Sequence, residues 1–291
     1  MNPRSLLLFA SLSIPLQMHA ETPEFTQDLH AWEAEMARPD SVELPEEIRA
    51  ILALEPSERE AAQIAAVAAY FRSTKTDRVE TARKWSGATV RQRFSDAGLK
   101  YPPHEIFLRA FKREMELEVW ARNGDVPFRK VATYAITAPS GDPGPKRREG
   151  DRQVPEGCYT IEVFNPKSRF HLSLGLDYPN ESDRILSDHE KPGSEIYIHG
   201  GAVSIGCLPL GDAVIEEVYL AALDSQTHQQ AGIPVHIFPM RMSGTAWKTF
   251  AREKPELRAF WEQLQPIYDA FEKTQRVPSV NVESDGRYRL R

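Results

Sequence analysis

Between Tyr101 and Phe238 the chain breaks into apolar runs of four to seven residues, and this punctuation constrains the fold more than any other feature. Ile106–Lys112, Leu117–Arg122, Val131–Ile136, Tyr159–Phe164, Phe170–Leu174, Glu195–His199 and Val235–Phe238 are separated by clusters of Gly, Pro, Asn and Asp. Short runs with such boundaries predict a largely antiparallel β domain. One helix interrupts them. Asp212 offers an N-cap, and Ile215, Val218, Tyr219 and Ala222 make an apolar face at helical spacing. The Pro139–Gly150 loop, with Lys146-Arg147-Arg148 near its end, reads as a solvated turn with a basic tip.

The flanks have a helical texture. From Glu24 to about Gly98, prolines at 39, 45 and 56 punctuate short helices, and Ser57-Glu58-Arg59-Glu60 is a capping-box pattern. Ile64, Val67, Ala68 and Phe71 follow as a packing stripe. Beyond Met242 the spacing of Trp247, Phe250, Leu257, Phe260, Trp261, Leu264 and Phe271 is again helical, and the last fifteen residues are polar and expected to be loosely held. The chain therefore divides into a signal at 1–20, a helical segment at 21–100, a β domain at 101–242 and a helical tail at 243–291.

The signal rests on Arg4, the mostly apolar Leu6–Leu16 and the small residue ending Met18-His19-Ala20; the apolar run is too short to anchor in a bilayer. Cleavage after Ala20 removes one of 36 basic and none of 42 acidic residues, leaving 35 − 42 = −7. That balance argues against a nucleic-acid partner, which calls for a basic surface. Export makes a Cys158–Cys207 disulfide the plain reading of the two cysteines. Two cysteines without a His-x-x-x-His pair make no recognisable metal site, and no membrane-spanning stretch is evident.

Against the disulfide stands the setting of Cys207. Glu195–His199 runs a buried-looking strand into Gly200-Gly201, which holds His199 at the strand end with its ring free to face a cleft. Eight positions later comes Ser204-Ile205-Gly206-Cys207. Gly206 lets the backbone bend, so the amides of Gly206 and Cys207 can converge as an oxyanion hole. An imidazole within reach can take the thiol proton and leave a nucleophilic sulfur. A buried cysteine near a core histidine fits the same spacing, and the residues alone do not separate the two.

Ile198-His199-Gly200 followed by Ser204-Ile205-Gly206-Cys207 resembles the active-site signature of the L,D-transpeptidases, the YkuD-type fold. Gly144-Pro145-Lys146, Gly150–Gly157, Asn165–Ser173, Tyr178-Pro179-Asn180 and Ser182-Asp183-Arg184 are similar to the branch whose members detach an outer-membrane lipoprotein from peptidoglycan. The likeness covers roughly Glu105 to Met240. It implies a mainly β catalytic domain of α+β class between helical flanks. It also implies a Cys207 nucleophile, His199 as base and the Gly200 carbonyl holding the imidazole. Acyl transfer on peptidoglycan stems would then proceed in the periplasm without a cofactor, with a cell-wall-linked lipoprotein as a possible partner. Two departures bear on the acceptor pocket: the His199–Cys207 connection is short, and Ile205 and Leu208 replace the family's usual histidine and polar residue.

Several other residues carry two readings. Ser204 orients substrate or braces the turn. His171 lines the cleft or sits hydrogen-bonded in the core. His236 and Cys158 are structural, and Asp183 and Asp212 fix turns or caps. Arg152, Arg169 and Arg184 either grip stem carboxylates in two-pronged fashion or make ordinary loop salt bridges. The competing function is a catalytically silent peptidoglycan-binding module stapled by Cys158–Cys207.

Overall fold

The apolar runs of the central region are strands. In the computed structural model, which describes residues 46–54, 78–226 and 232–291, they are β1 (Glu105–Phe111), β2 (Glu116–Arg122), β3 (Arg129–Ala135), β4 (Gly157–Ser168), β5 (His171–Leu176), β6 (Tyr197–His199) and β8 (Ile233–Phe238). A two-residue strand, β7 (Leu208–Pro209), completes one sheet in the order β3-β2-β1-β8-β4-β5-β6-β7. The pairs β1–β8 and β6–β7 are parallel and the other neighbours antiparallel. The sheet curls: the Thr137 amide, just past β3, reaches the Pro209 carbonyl of β7 at 2.8 Å.

The chain divides into two units, Met1–Lys75 and Thr76–Arg291. Of the first, one helix is described, α1 (Glu46–Leu52). The signal, the Ser57 capping box and the stripe from Ile64 to Phe71 lie outside the described residues.

In the second unit, helices cover both faces of the sheet. Alternation explains this: along β8, Val235 and Ile237 join a core with α4 (Asp212–Ser225), while Phe238 joins one with α6 (Pro255–Thr274). Helix α4 is buried on more than its apolar face, because α2 (Arg78–Asp96) lies over it. Buried carboxylates are tolerated only when paired, and α2 supplies partners. Ser86 hydrogen-bonds Glu216, Arg93 pairs with Glu217, and Arg83 meets Asp224 at 2.6 Å. Short α3 (Glu181–Leu186) is opened by an Asn180–Asp183 capping box, and α5 (Gly244–Glu253) packs beside α6.

Three expectations are corrected. The last residues are not loosely held: β9 (Val280–Val282) and β10 (Tyr288–Leu290) form a hairpin, and buried Tyr288 accepts a hydrogen bond from Asn180 at 2.8 Å. A ring and a paired hydroxyl together anchor an otherwise polar segment. Asp212 does not cap α4, whose N-cap is Gly211; its carboxylate instead accepts the Gly201 amide at 2.8 Å. The Pro139–Gly150 loop is not simply solvated, since Lys146 is only 4% exposed and meets Asp151 at 2.6 Å. Asp151 also gathers the amides of Arg147, Arg148 and Gln153, so one carboxylate folds the loop inward.

Candidate active site

His199 ends β6, and Cys207 directly precedes β7. In their parallel register Ile198 aligns with Leu208 and His199 with Pro209, which sets Cys207 beside Tyr197. Side chains alternate along a strand, so Cys207 shares a face with Tyr197 and His199, whereas Ile198 and Leu208 point into the core. Strand spacing and rise put the Cα atoms of Cys207 and His199 roughly 8 Å apart on that face. The short connection thus brings His199 and Cys207 together through sheet register.

Gly206 makes the approach possible. Its φ is +134°, and a Cβ there would stand 3.0 Å from the Gln153 carbonyl oxygen. Ser204 braces the turn on both sides, donating from Oγ to the Cys207 carbonyl at 2.7 Å and accepting the Gly206 amide at 3.1 Å. The Gly206 amide is therefore engaged and can serve an oxyanion only when Ser204 releases it. Cys207 Sγ receives the Tyr197 amide at 3.4 Å and faces the Glu195 carbonyl at 3.6 Å. Burial pushes its thiol pKa up, while the Tyr197 amide and the Lys146 charge pull the other way.

His199 is 2% exposed, and its Nδ1 lies 2.5 Å from the Gly200 carbonyl oxygen. A carbonyl can only accept, so Nδ1 carries the proton and Nε2 keeps the lone pair that can take one from a thiol. The ring leans on Phe170, with centroids 4.6 Å apart and planes at 31°. Burial depresses the His199 pKa, partly opposed by the Gly200 hydrogen bond and the Asp212 charge. Both shifts favour a neutral thiol–imidazole pair at rest. Among the described residues no hydrogen bond joins His199 to Cys207.

Gly200 is constrained by crowding. A Cβ would collide with the Asp212 carboxylate and stand 2.7 Å from the Phe170 carbonyl oxygen. Gly200→Ala is expected to cost about 1–3 kcal/mol by overpacking, read as a lowered unfolding midpoint, and to slow turnover because the shifted carbonyl no longer aims at Nδ1.

The remaining candidates separate. His171 hydrogen-bonds Glu216 at 2.9 Å and turns toward α4. His236 is buried on β8, its pKa pushed down to about 3 by burial and the Arg109 charge, which suits a structural residue. Arg152 and Arg169 are exposed and adjoin Gln153 and Phe170, residues that contact the Gly206 bend and the His199 ring. Arg184 stands exposed on α3, where its charge acts on Asp177. None of the three guanidinium groups has an ion-pair partner among the described residues. The burial of Lys146 was not legible in the sequence because its basic neighbours resemble a solvated tip.

Cys158 and Cys207 are both free thiols, which overturns the disulfide expectation. Cys158 aligns with His236 across β4 and β8 and packs against the Phe238 core, whereas Cys207 is held between Glu195 and Tyr197. Cys158→Ala should keep full turnover and lose about 1 kcal/mol of stability, measured by product assay and thermal melt.

Residues 108–237 match the YkuD family, the L,D-transpeptidase catalytic domain. Over 185 residues the chain is 34% identical to "Putative L,D-transpeptidase YafK" of Escherichia coli (strain K12), covering 63% of this chain and 72% of YafK. Among solved structures it is similar to the helical cell shape determining protein Pgp2 of Campylobacter jejuni, with 18% identity, TM-score 0.37 and coverage of 67% of this chain and 80% of Pgp2. For Bd1075 of Bdellovibrio bacteriovorus the values are 23%, 0.34, 57% and 62%. With a YkuD domain across its sheet and a relative of this identity matched over most of its length, the chain belongs to the L,D-transpeptidase family.

Proposed function

We propose that this protein is a peptidoglycan-modifying cysteine enzyme that cleaves amide links at diaminopimelate-containing stems through a Cys207 thioester. Family membership supports the coarse statement, a peptidoglycan-modifying enzyme. One observation carries the finer one: Cys207 and His199 share a face of adjacent parallel strands, with Nδ1 held by the Gly200 carbonyl. His199 Nε2 takes the thiol proton as sulfur attacks the amide carbon, and the negative charge moves to the carbonyl oxygen. Collapse breaks the C–N bond, and the imidazolium proton leaves with the amine. Water then attacks the thioester with His199 again as base, returning the proton to sulfur. An amine in place of water gives a cross-link. The branch motifs favour water, and with them a cell-wall-linked lipoprotein as a partner. The signal-like first twenty residues, outside the described part, support a periplasmic location. Arg152 and Arg169 are the carboxylate grips this reading prefers.

The test is digestion of purified muropeptides by the mature chain, with products read by mass. A hydrolysed link supports the amidase, and a new cross-link moves the assignment to transpeptidation. No change with a folded, thiol-titratable protein overturns the enzyme and leaves a binding module.

A further inference from the structure

We infer that Arg78, with Ser86 behind it on α2, is a positioning residue for His199, acting through the β4–β5 turn on which the imidazole rests. The inference depends on His199 being the base, as proposed above. It concerns a helix that precedes the matched catalytic domain, residues 108–237.

The turn at residues 168–171 is both strained and gripped. His171 has φ +65°, a left-handed conformation that a non-glycine residue holds only when its surroundings impose it. Arg78 Nη1 donates to the carbonyls at both ends of the turn, Ser168 at 2.5 Å and His171 at 2.6 Å. A second arm reaches the His171 side chain: its Nε2 meets Glu216 Oε1 at 2.9 Å, and the other oxygen of Glu216 accepts the Ser86 hydroxyl. One helix therefore holds the turn by its backbone and, through Glu216, by its strained residue.

The turn in turn holds His199. Phe170, at its tip, presents the ring on which the imidazole leans. The Phe170 carbonyl also accepts the Gly200 amide at 3.0 Å, shared with the Leu172 carbonyl at 3.2 Å, and Gly200 is the residue whose own carbonyl orients Nδ1. Releasing the turn would loosen both supports together. Because proton transfer needs the imidazole Nε2 within reach of the Cys207 thiol, small changes in ring placement act directly on it. A misplacement of about 1 Å in such a pair costs on the order of 100-fold.

Alkylation of Cys207 by iodoacetamide, followed by intact mass across pH 5–10, tests this without any cell-wall substrate. Wild type should react at neutral pH, and His199→Ala should react there roughly 100-fold more slowly. Arg78→Ala is expected to fall at least about 10-fold toward the His199→Ala rate, with Arg78→Lys recovering part because an ammonium still reaches one carbonyl. Ser86→Ala, which keeps the backbone grip, should show a smaller loss and serves if Arg78→Ala does not fold. Arg83→Ala controls for helix loosening, since it removes the contacts to Asp224 and Glu80 without touching the turn and should alkylate like wild type. Slow reaction in His199→Ala with wild-type rates in Arg78→Ala, Arg78→Lys and Ser86→Ala would overturn the inference while sparing the proposed base. Equal slowing in Arg83→Ala would also overturn it, as general destabilisation. A His199→Ala protein that alkylates like wild type would remove the base itself, and this inference with it.

Discussion

Cys207→Ala is expected to abolish turnover of muropeptides, by about 10⁴-fold or more, while leaving the fold intact. The sulfur is the atom that would form the acyl intermediate, and no neighbour can replace it: Cys158 lies on β4 against the Phe238 core with its thiol pKa raised by burial. Structurally the sulfur contributes little. It makes two long contacts, to Tyr197 and Glu195, and the bend that carries it is held by Ser204 and Gly206. The variant should therefore melt within about 1 kcal/mol of wild type. Near-UV circular dichroism and product mass analysis check the two halves separately, and residual activity at wild-type level would refute the thioester mechanism.

His199→Ala should slow acylation by roughly 10²–10⁴-fold, the usual range for loss of a general base. Its pH profile is the more specific test. Burial lowers the His199 pKa below its ordinary 6.5 and raises that of Cys207, so the working pair is neutral over a wide window. Wild-type kcat/KM should fall only as pH drops below 6.5 and His199 becomes protonated. In the variant that limb disappears, and activity should climb with pH as thiolate forms unaided. The stability linkage has a related sign. A histidine whose folded pKa is depressed stabilises nothing by charging, and the fold loses stability as pH falls from 6.5 toward the folded value, because only the unfolded chain takes up the proton. His199→Ala should therefore show a shallower loss of melting temperature in that range. An unchanged rate profile would mean the base lies elsewhere.

Much of the β core was legible from local pattern. The runs around β1, β2 and β3 match their strands to within a residue or two, because alternation and turn residues act over a few positions. Strand β7 was not legible: two residues carry no periodicity, and Leu208–Pro209 becomes a strand only by pairing with β6. The final hairpin was hidden for a similar reason, since its anchors include Tyr288 on Asn180 and the Gly286 carbonyl on Ser182, which come from 108 and 104 residues earlier in the chain.

By itself the sequence determined the class of fold, the His199 and Cys207 pairing as a chemical possibility, and the family, because those depend on short motifs in a given order. Only the tertiary structure decided what each polar residue near the motif is free to do. It committed the Gly206 amide to Ser204, turned His171 onto Glu216, sank Lys146 beside Asp151 and kept the two cysteines apart. It also seated α2 through Arg83–Asp224 and Ser86–Glu216, pairs separated by 141 and 130 positions. Hydrogen bonds and ion pairs between distant segments leave no period in a sequence; they exist only once the buried carboxylates of α4 require partners and the fold brings α2 within reach.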